Sequence, residues 1–267
     1  MSTRSSRPTG SAWLVGVATL LVMFFLATPI VVLIAVSFTA EQFAHFPPQG
    51  FSLKWYAALA NLPGLKEALV LSLELAALST GICLLLAMPA AVALVRGGFR
   101  GKTLLMTLLL SPLLVPSVVT GLALLQFVNA IYLDSAFWAL MIGHVVLVFP
   151  YVVRTIIASL EVFDWSLVET ARVLGAKPMQ AFRRVILPSI RPGMMSGAIF
   201  AFLTSFDNYT VSIFLSNASN RTVPVQLYNY IEEILDPSVI ALCSALIFGS
   251  VAVLLLTERF VGLQRVK

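Results

Sequence analysis

The chain has 267 residues, of which 59% are apolar and only 11% charged, with a formal net charge of +5. A soluble domain carries about 25% charged residues, so this composition excludes an ordinary water-soluble protein and points to a lipid bilayer as solvent. Cys83 and Cys243 lie inside apolar blocks with no Cys or His at ligand spacing, which argues against a disulfide framework or a zinc site.

Period-two alternation is weak along the apolar blocks, so helices are predicted rather than a barrel. Six spans are expected, near 13–38, 68–95, 103–128, 136–157, 194–215 and 239–257. Each is about the 20 residues or more that cross a ~30 Å hydrocarbon core. The expected organisation is a tail over 1–12, the first span over 13–38, an outer loop over 39–67, a five-helix core over 68–257 and a tail over 258–267. Arg4 and Arg7 precede the first span in the manner of a signal peptide. Its apolar run is too long for that, and no small-x-small cleavage site precedes Pro29, so a retained helix is expected.

An even number of crossings places both termini on one side. With that side cytoplasmic, only Lys54, Lys66 and Arg221 among the 17 Lys and Arg fall outside. This follows the positive-inside rule, so the net charge is a topology signal rather than a nucleic-acid patch. Prolines 29, 89, 112, 116 and 150 fall inside spans and free backbone carbonyls, which predicts kinked helices packed against protein.

Ionisable groups in the hydrocarbon region are default functional candidates. Glu74, about two turns into the second span, is the first. Gly101-Lys102-Thr103 ends like a phosphate-binding loop, but Arg96 stands where the pattern needs Gly, so nucleotide binding is not expected. Gln126, Asn129 and Tyr132 near the outer end of the third span are further pathway candidates. His45 and His144 are isolated; the latter reads as a hydrogen-bonded packing residue. No catalytic constellation is evident.

The polar loop over 158–193 is the longest inside connection. Ser166-Leu-Val-Glu169 has the form of a capping box, so a helix should begin at Ser166, with Leu167, Val168, Ala171 and Leu174 as its apolar face and Gly175 ending it. Pro178 should open a second helical stretch running to Pro188. In the fifth span Gly193, Gly197, Ala201 and Ser205 recur every four residues, a stripe that permits close helix packing. Asp207, with Asn208 and Tyr209 beside it, is the second intramembrane carboxylate, expected somewhat past the midplane. At about 100° per residue Asn208 falls on the stripe and Asp207 off it.

Glu169-Thr-Ala171-Arg-Val-Leu-Gly175, followed after nine residues by Val185-Ile-Leu187-Pro188, resembles the EAA signature of permease subunits of binding-protein-dependent ABC importers. The signature reads E-A-A, three residues, G, nine residues, I-x-L-P; Thr170 and Val185 depart from it without altering the spacing. The resemblance implies an all-α membrane protein of the type I ABC importer permease fold, with six kinked transmembrane helices and a cytosolic coupling helix between spans four and five. Glu169, Ala171 and Gly175 would then sit at an ATPase contact, with Ser166, Thr170, Leu187 and Pro188 in the same element. It also implies a second permease subunit, identical or different, two cytosolic ATPase subunits, a periplasmic or lipid-anchored binding protein, and a place in the bacterial inner membrane with both termini cytoplasmic. ATP and Mg would be held by the partners, leaving no cofactor, metal or catalytic residue in this chain.

Phe51-Ser-Leu-Lys-Trp55-Tyr56, Ser205-Phe-Asp207-Asn208 and Arg221-Thr-Val-Pro224 are similar to the polyamine branch of these permeases. A small cationic or amine-bearing cargo such as putrescine or spermidine follows from that resemblance, while similar permeases carry aminophosphonates, opines or metal ions. A stand-alone secondary transporter or channel would use Asp207 and Glu74 but leaves the EAA-like loop without a purpose, and no inverted repeat is visible.

Overall fold

The computed structural model describes residues 10–233 and 236–261. The tails expected at 1–12 and 258–267 fall largely outside them. The described helices are α1 (Gly10–Ser37), α2 (Lys54–Ala58), α3 (Leu65–Arg96), α4 (Lys102–Leu110), α5 (Ser117–Ala130), α6 (Ala136–Glu161), α7 (Ser166–Val173), α8 (Pro178–Ala181), α9 (Leu187–Phe206), α10 (Thr210–Leu215), α11 (Val223–Glu233) and α12 (Ser238–Val261). Among the described residues the only β pairing is an isolated bridge between Asn217 and Asn220. Five helical stretches are long and apolar enough to cross a membrane, or six if one bent pair counts as a single span.

That bent pair is the third expected span. Lys102–Leu113 and Ser117–Ala130 meet at 103°. Pro112 and Pro116 remove two backbone donors within five residues, so the helical ladder cannot run through. The carbonyl of Ser111 closes the turn by accepting from Leu114 (2.9 Å) and Val115 (3.3 Å).

The fifth span also departs from expectation, at both ends. Helix runs without interruption from Pro178 through a π-helical segment at Phe182–Ile186 to Phe206, where it stops. Its first turns are the helical stretch expected from Pro178 to Pro188; what the Arg and Pro there obscure is that this stretch continues into the span, since a helix need not end where the lipid does. The span expected to reach residue 215 is instead split, with Asp207–Tyr209 between α9 and α10. Asp207 therefore sits at a helix end and not within a continuous helix. The α11 helix was not foreseen at all.

The described residues fall into two compact units: those up to Leu62 with those in 231–249, and those in 63–230 with those from Ser250 on. In the first unit, Phe38 stacks on Phe51 with centroids 5.1 Å apart, and the Tyr56 hydroxyl bonds Ser37 Oγ (2.7 Å) and Ser244 Oγ (3.0 Å). These contacts fix the loop that follows α1 against the start of α12. The large apolar side chains of α1 from Trp13 to Val31 are exposed, as suits a helix whose solvent is lipid.

In the second unit α3, α6 and α9 pack on one another around two apolar clusters. One cluster joins Cys83–Leu94 of α3, Val148–Leu160 of α6 and Ile190 and Ala201 of α9 to Val168 of α7 and Ala181 of α8. The other joins Leu71 and Leu75 to Leu124, Leu140, Val211 and Leu215. The α6–α9 crossing is close: a Cβ on Gly193 would lie 1.8 Å from Ser159 Oγ, and one on Gly197 2.3 Å from Thr155 Oγ1. Ala201 and Ser205, further along the same stripe, are fully buried.

Candidate functional site

At one end of this unit α7 forms a short outlying helix. Its start differs from the expected capping box. Ser166 is already helical, and the carboxylate of Asp164 accepts the Ser166 N–H at 3.0 Å. The Ser166 hydroxyl adds a second hydrogen bond, and together these hold the Asp164 carboxyl below its usual range against a smaller opposing effect of burial. An Asp two residues upstream thus takes the capping role assigned to Ser166 and Glu169. Glu169 is exposed, and the Thr170 hydroxyl turns back to the Ser166 carbonyl at 2.9 Å.

The helix ends on Gly175, whose φ of +87° is the left-handed conformation that favours glycine. The Ala176 N–H bonds the Ala171 carbonyl and the Gly175 N–H bonds the Arg172 carbonyl, both at 2.9 Å, which is a Schellman motif. Ala171 and Gly175, four residues apart, are therefore two halves of one turn. The next helix opens at Pro178, with the Lys177 N–H donating to Gln180 Oε1 at 2.8 Å.

The expected apolar face of α7 is split. Val168 is buried in the first cluster and Ala171 is half-buried, whereas Leu167 is half exposed and Leu174, with Val173, is more than 80% exposed. Arg96 at the end of α3 lies 4.8 Å over the Trp165 ring, and Phe163 meets Trp165 edge-on at 5.0 Å, fastening the entry to α7. Ala171, Gly175 and Val185 share a depression of about 320 Å³ with Leu174, Gln180 and Arg184. Glu169, Leu187 and Pro188 do not line it; Leu187 packs on the first cluster and Pro188 is exposed.

At the other end the chain breaks between α9 and α10. Asp207 is exposed there, and the Tyr209 ring lies 5.3 Å from that of Tyr228. Asn208 caps α10: its Oδ1 accepts the N–H groups of Val211 (2.9 Å) and Ser212 (3.3 Å). Behind the break, His144 is almost wholly buried, with Nδ1 2.6 Å from Ser205 Oγ and Nε2 3.1 Å from Ser212 Oγ. Ser79 Oγ is 3.2 Å from Ser205 Oγ. Close approach makes room for α10, since a Cβ on Gly143 would meet Leu215 at 2.5 Å and one on Gly121 would meet Phe214 at 2.5 Å.

The seven pathway candidates are not brought together. Glu74 lines a cavity of about 510 Å³ with Lys66, Glu67, Phe137 and Arg221, while Gln126 and Asn129 are exposed on α5, Tyr132 is exposed just after it, and Asp207 to Tyr209 form the break. Among the described residues no group of His, Cys, Asp and Glu is arranged to hold a metal ion. The site roles of Asp164, Arg96, Trp165 and Ser79 escaped sequence reasoning, and Ser212 reads in the sequence only as a polar neighbour of Asp207. Only Asp164 left a local signal, an Asp two residues before a helix start; the partners of His144 lie 61 and 68 positions away.

Residues 83–265 match the family model described as binding-protein-dependent transport system inner membrane component. The spermidine/putrescine transport system permease protein PotC of Escherichia coli (strain K12) is 32% identical over 234 residues, 88% of each chain. The putrescine transport system permease protein PotI of the same strain is 32% identical over 250 residues, 91% of this chain and 88% of PotI. A solved bacterial alginate ABC transporter, in complex with an alginate pentasaccharide-bound periplasmic protein, superposes with a TM-score of 0.67 at 17% identity, over 93% of this chain and 92% of that one.

Proposed function

The chain belongs to the family of binding-protein-dependent transport system inner membrane components and has the fold of a type I ABC importer permease, and on that premise we propose that it forms half of an ATP-driven import pathway for a polyamine. The observation that carries the coupling role is the surface of α7. Val173 and Leu174 present apolar side chains to the outside at 87% and 82% exposure, on a helix locked to the core through Val168. Apolar surface held out in this way is what a partner subunit would bury. The partner is a cytosolic ATPase pair that holds ATP and Mg; a second permease completes the pathway and an external binding protein delivers the solute. Both termini and α7 lie on the cytoplasmic side in this scheme, as the distribution of Lys and Arg supports.

The part played by this chain is mechanical. Closure of the ATPases pushes α7, and because Val168, Trp165 and the helix starting at Pro178 are packed on α3, α6 and α9, the push reaches the spans as a rigid movement. A polyamine cargo is supported by the names of the relatives and by carboxylates where a cation could meet them, Asp207 at the break and Glu74 at the cavity wall.

The test is reconstitution of the chain with a second permease, the ATPase pair and the binding protein in vesicles. Putrescine or spermidine should accumulate only when ATP is supplied. Uptake of an aminophosphonate, opine or metal ion instead would overturn the cargo, and accumulation by the chain alone would overturn the ABC mechanism. Gly175→Glu should cut uptake by about tenfold or more while ATP hydrolysis continues. The site has room for the side chain, but φ there disfavours any L residue and the acidic group faces the docking surface. Normal uptake by this variant would remove the coupling role.

A further inference from the structure

We propose that His144 is a positioning residue that latches the break between α9 and α10, and so sets the placement of the Asp207–Tyr209 segment during transport. This rests on the permease function above but not on the choice of cargo.

The break creates a specific problem. Where α9 stops and α10 starts, backbone donors and acceptors lose their ladder partners, and in a membrane protein no bulk water is at hand to replace them. Side chains do so here. Asn208 Oδ1 takes two amides of α10, and the Ser212 hydroxyl donates to the Asn208 carbonyl at 2.6 Å. Because the Ser212 proton is committed to that carbonyl, its Oγ must accept from His144 at 3.1 Å, which assigns the proton of the neutral imidazole to Nε2. Nδ1 is then an acceptor, and the Ser205 hydroxyl donates to it at 2.6 Å. The Ser205 oxygen lies 3.2 Å from the Ser79 hydroxyl, whose one proton is shared between Ser205 Oγ and the Ala76 carbonyl at 3.4 Å.

The result is one directed chain: Ser79 to Ser205 to His144 to Ser212 to the carbonyl of Asn208. It joins α3, α6, the last turn of α9 and the first turn of α10, with the Ala76 carbonyl as a second acceptor at the Ser79 end. His144 is the only member that reaches both sides of the break. A packing histidine needs one partner; this one has a donor link to α10 and an acceptor link to α9, with its ring 1% exposed. The Asp207 and Asn208 amides still bond the Leu203 and Ser205 carbonyls, at 3.0 and 3.3 Å, but the links across the break from α9 to α10 run through side chains, so it is the place where α9 can change its angle to α10, and His144 fixes which angle is held.

The experiment uses the whole reconstituted transporter with putrescine as the probe, comparing His144→Ala, His144→Gln and Ser212→Ala. Gln can supply one donor and one acceptor, so H144Q should keep most of the function. H144A and S212A should hydrolyse several times more ATP per putrescine taken up, and amide exchange over residues 208–213 should be about tenfold faster, the effect expected from losing one buried hydrogen bond. Combining H144A with S212A should add little to either, since both cut the same chain. Wild-type coupling and exchange in S212A would overturn the latch, as would H144Q being no better than H144A. Should H144A fail to assemble, S212A, which removes one oxygen and no bulk, decides alone. Should the wild type take up no putrescine, the cargo is wrong, and the exchange measurement, which needs no solute, still tests the latch.

Discussion

The two ends of the α3–α6–α9 core are built from the same helices and by opposite rules. Toward α7, residues 83–94 of α3, 148–160 of α6 and 190–201 of α9 contribute a continuous apolar cluster with Val168 and Ala181 seated in it. Toward α10, the second apolar cluster, with Val211 and Leu215 in it, is interleaved with buried polar side chains: Ser72, Ser79, His144, Ser205 and Ser212. Close packing in a dry cluster leaves an element one way to sit, so the α7 end moves as a block. A polar network, by contrast, holds a broken helix only while each bond is made, and exchange of partners lets it move. Under the proposed function, the end that would receive force is held by apolar packing, and the end that carries the break adds a polar network to its apolar cluster.

The sharpest way to break this contrast is to place the same charge on the two sides of α7. Val168→Asp puts an unpaired carboxylate into the dry cluster and should cost about 3–5 kcal/mol, seen as loss of folded protein in detergent extracts. Leu174→Asp lies on the exposed side and should change stability by less than about 0.5 kcal/mol, yet weaken capture of the ATPase subunits in pull-down. Equal thermal stability of the two variants would mean that α7 is not anchored as a block.

A smaller effect is expected along the α6–α9 seam, which joins the two ends. An alanine at Gly193 would place Cβ 1.8 Å from Ser159 Oγ and 3.1 Å from the carbonyl of Thr155. The hydroxyl can rotate away; the backbone cannot. G193A should therefore cost about 1–3 kcal/mol of stability, with Ser159→Ala recovering part of it. Unchanged thermal unfolding of G193A would show the crossing to be looser than its geometry implies.

What the sequence disclosed follows from the kind of physics involved. The spans were legible because burial in lipid demands long apolar runs, and the turn at Gly175 because only glycine readily takes its φ. The Gly193–Ser205 stripe could be read because its period is that of one helix. The break at Asp207 was not legible: the segment 194–215 is apolar enough to read as one span, and the side chains that fasten the last turn of α9, His144 and Ser79, come from distant parts of the chain. For the same reason Asn208 was placed on a helical stripe that stops two residues earlier, when its role is to start the next helix. The Arg96–Trp165 contact was hidden likewise, since nothing at Arg96 announces an aromatic partner 69 positions on.

The smallest expected effect concerns the start of α7, where Asp164 stands in for the capping box. Its carboxyl is held below the unfolded value of 3.8 by the Ser166 N–H and hydroxyl, both of which favour the charged form. A carboxylate whose folded pKa is lowered stabilises the fold above the unfolded pKa, and that contribution disappears as pH falls through the lower folded value. Asp164→Asn keeps an oxygen that can accept the Ser166 N–H but does not titrate. The wild type should thus be the more stable of the two near neutrality, and its lead in thermal midpoint should shrink as pH drops below 3.8, since all other carboxyl groups are common to both. Because Asp164 is exposed, the lead is small and screened by salt, so it should also narrow when ionic strength is raised at neutral pH. Midpoints that run parallel at every pH would mean that α7 begins without help from this side chain, leaving the packing of Val168 and the contacts of Trp165 with Arg96 and Phe163 to anchor it.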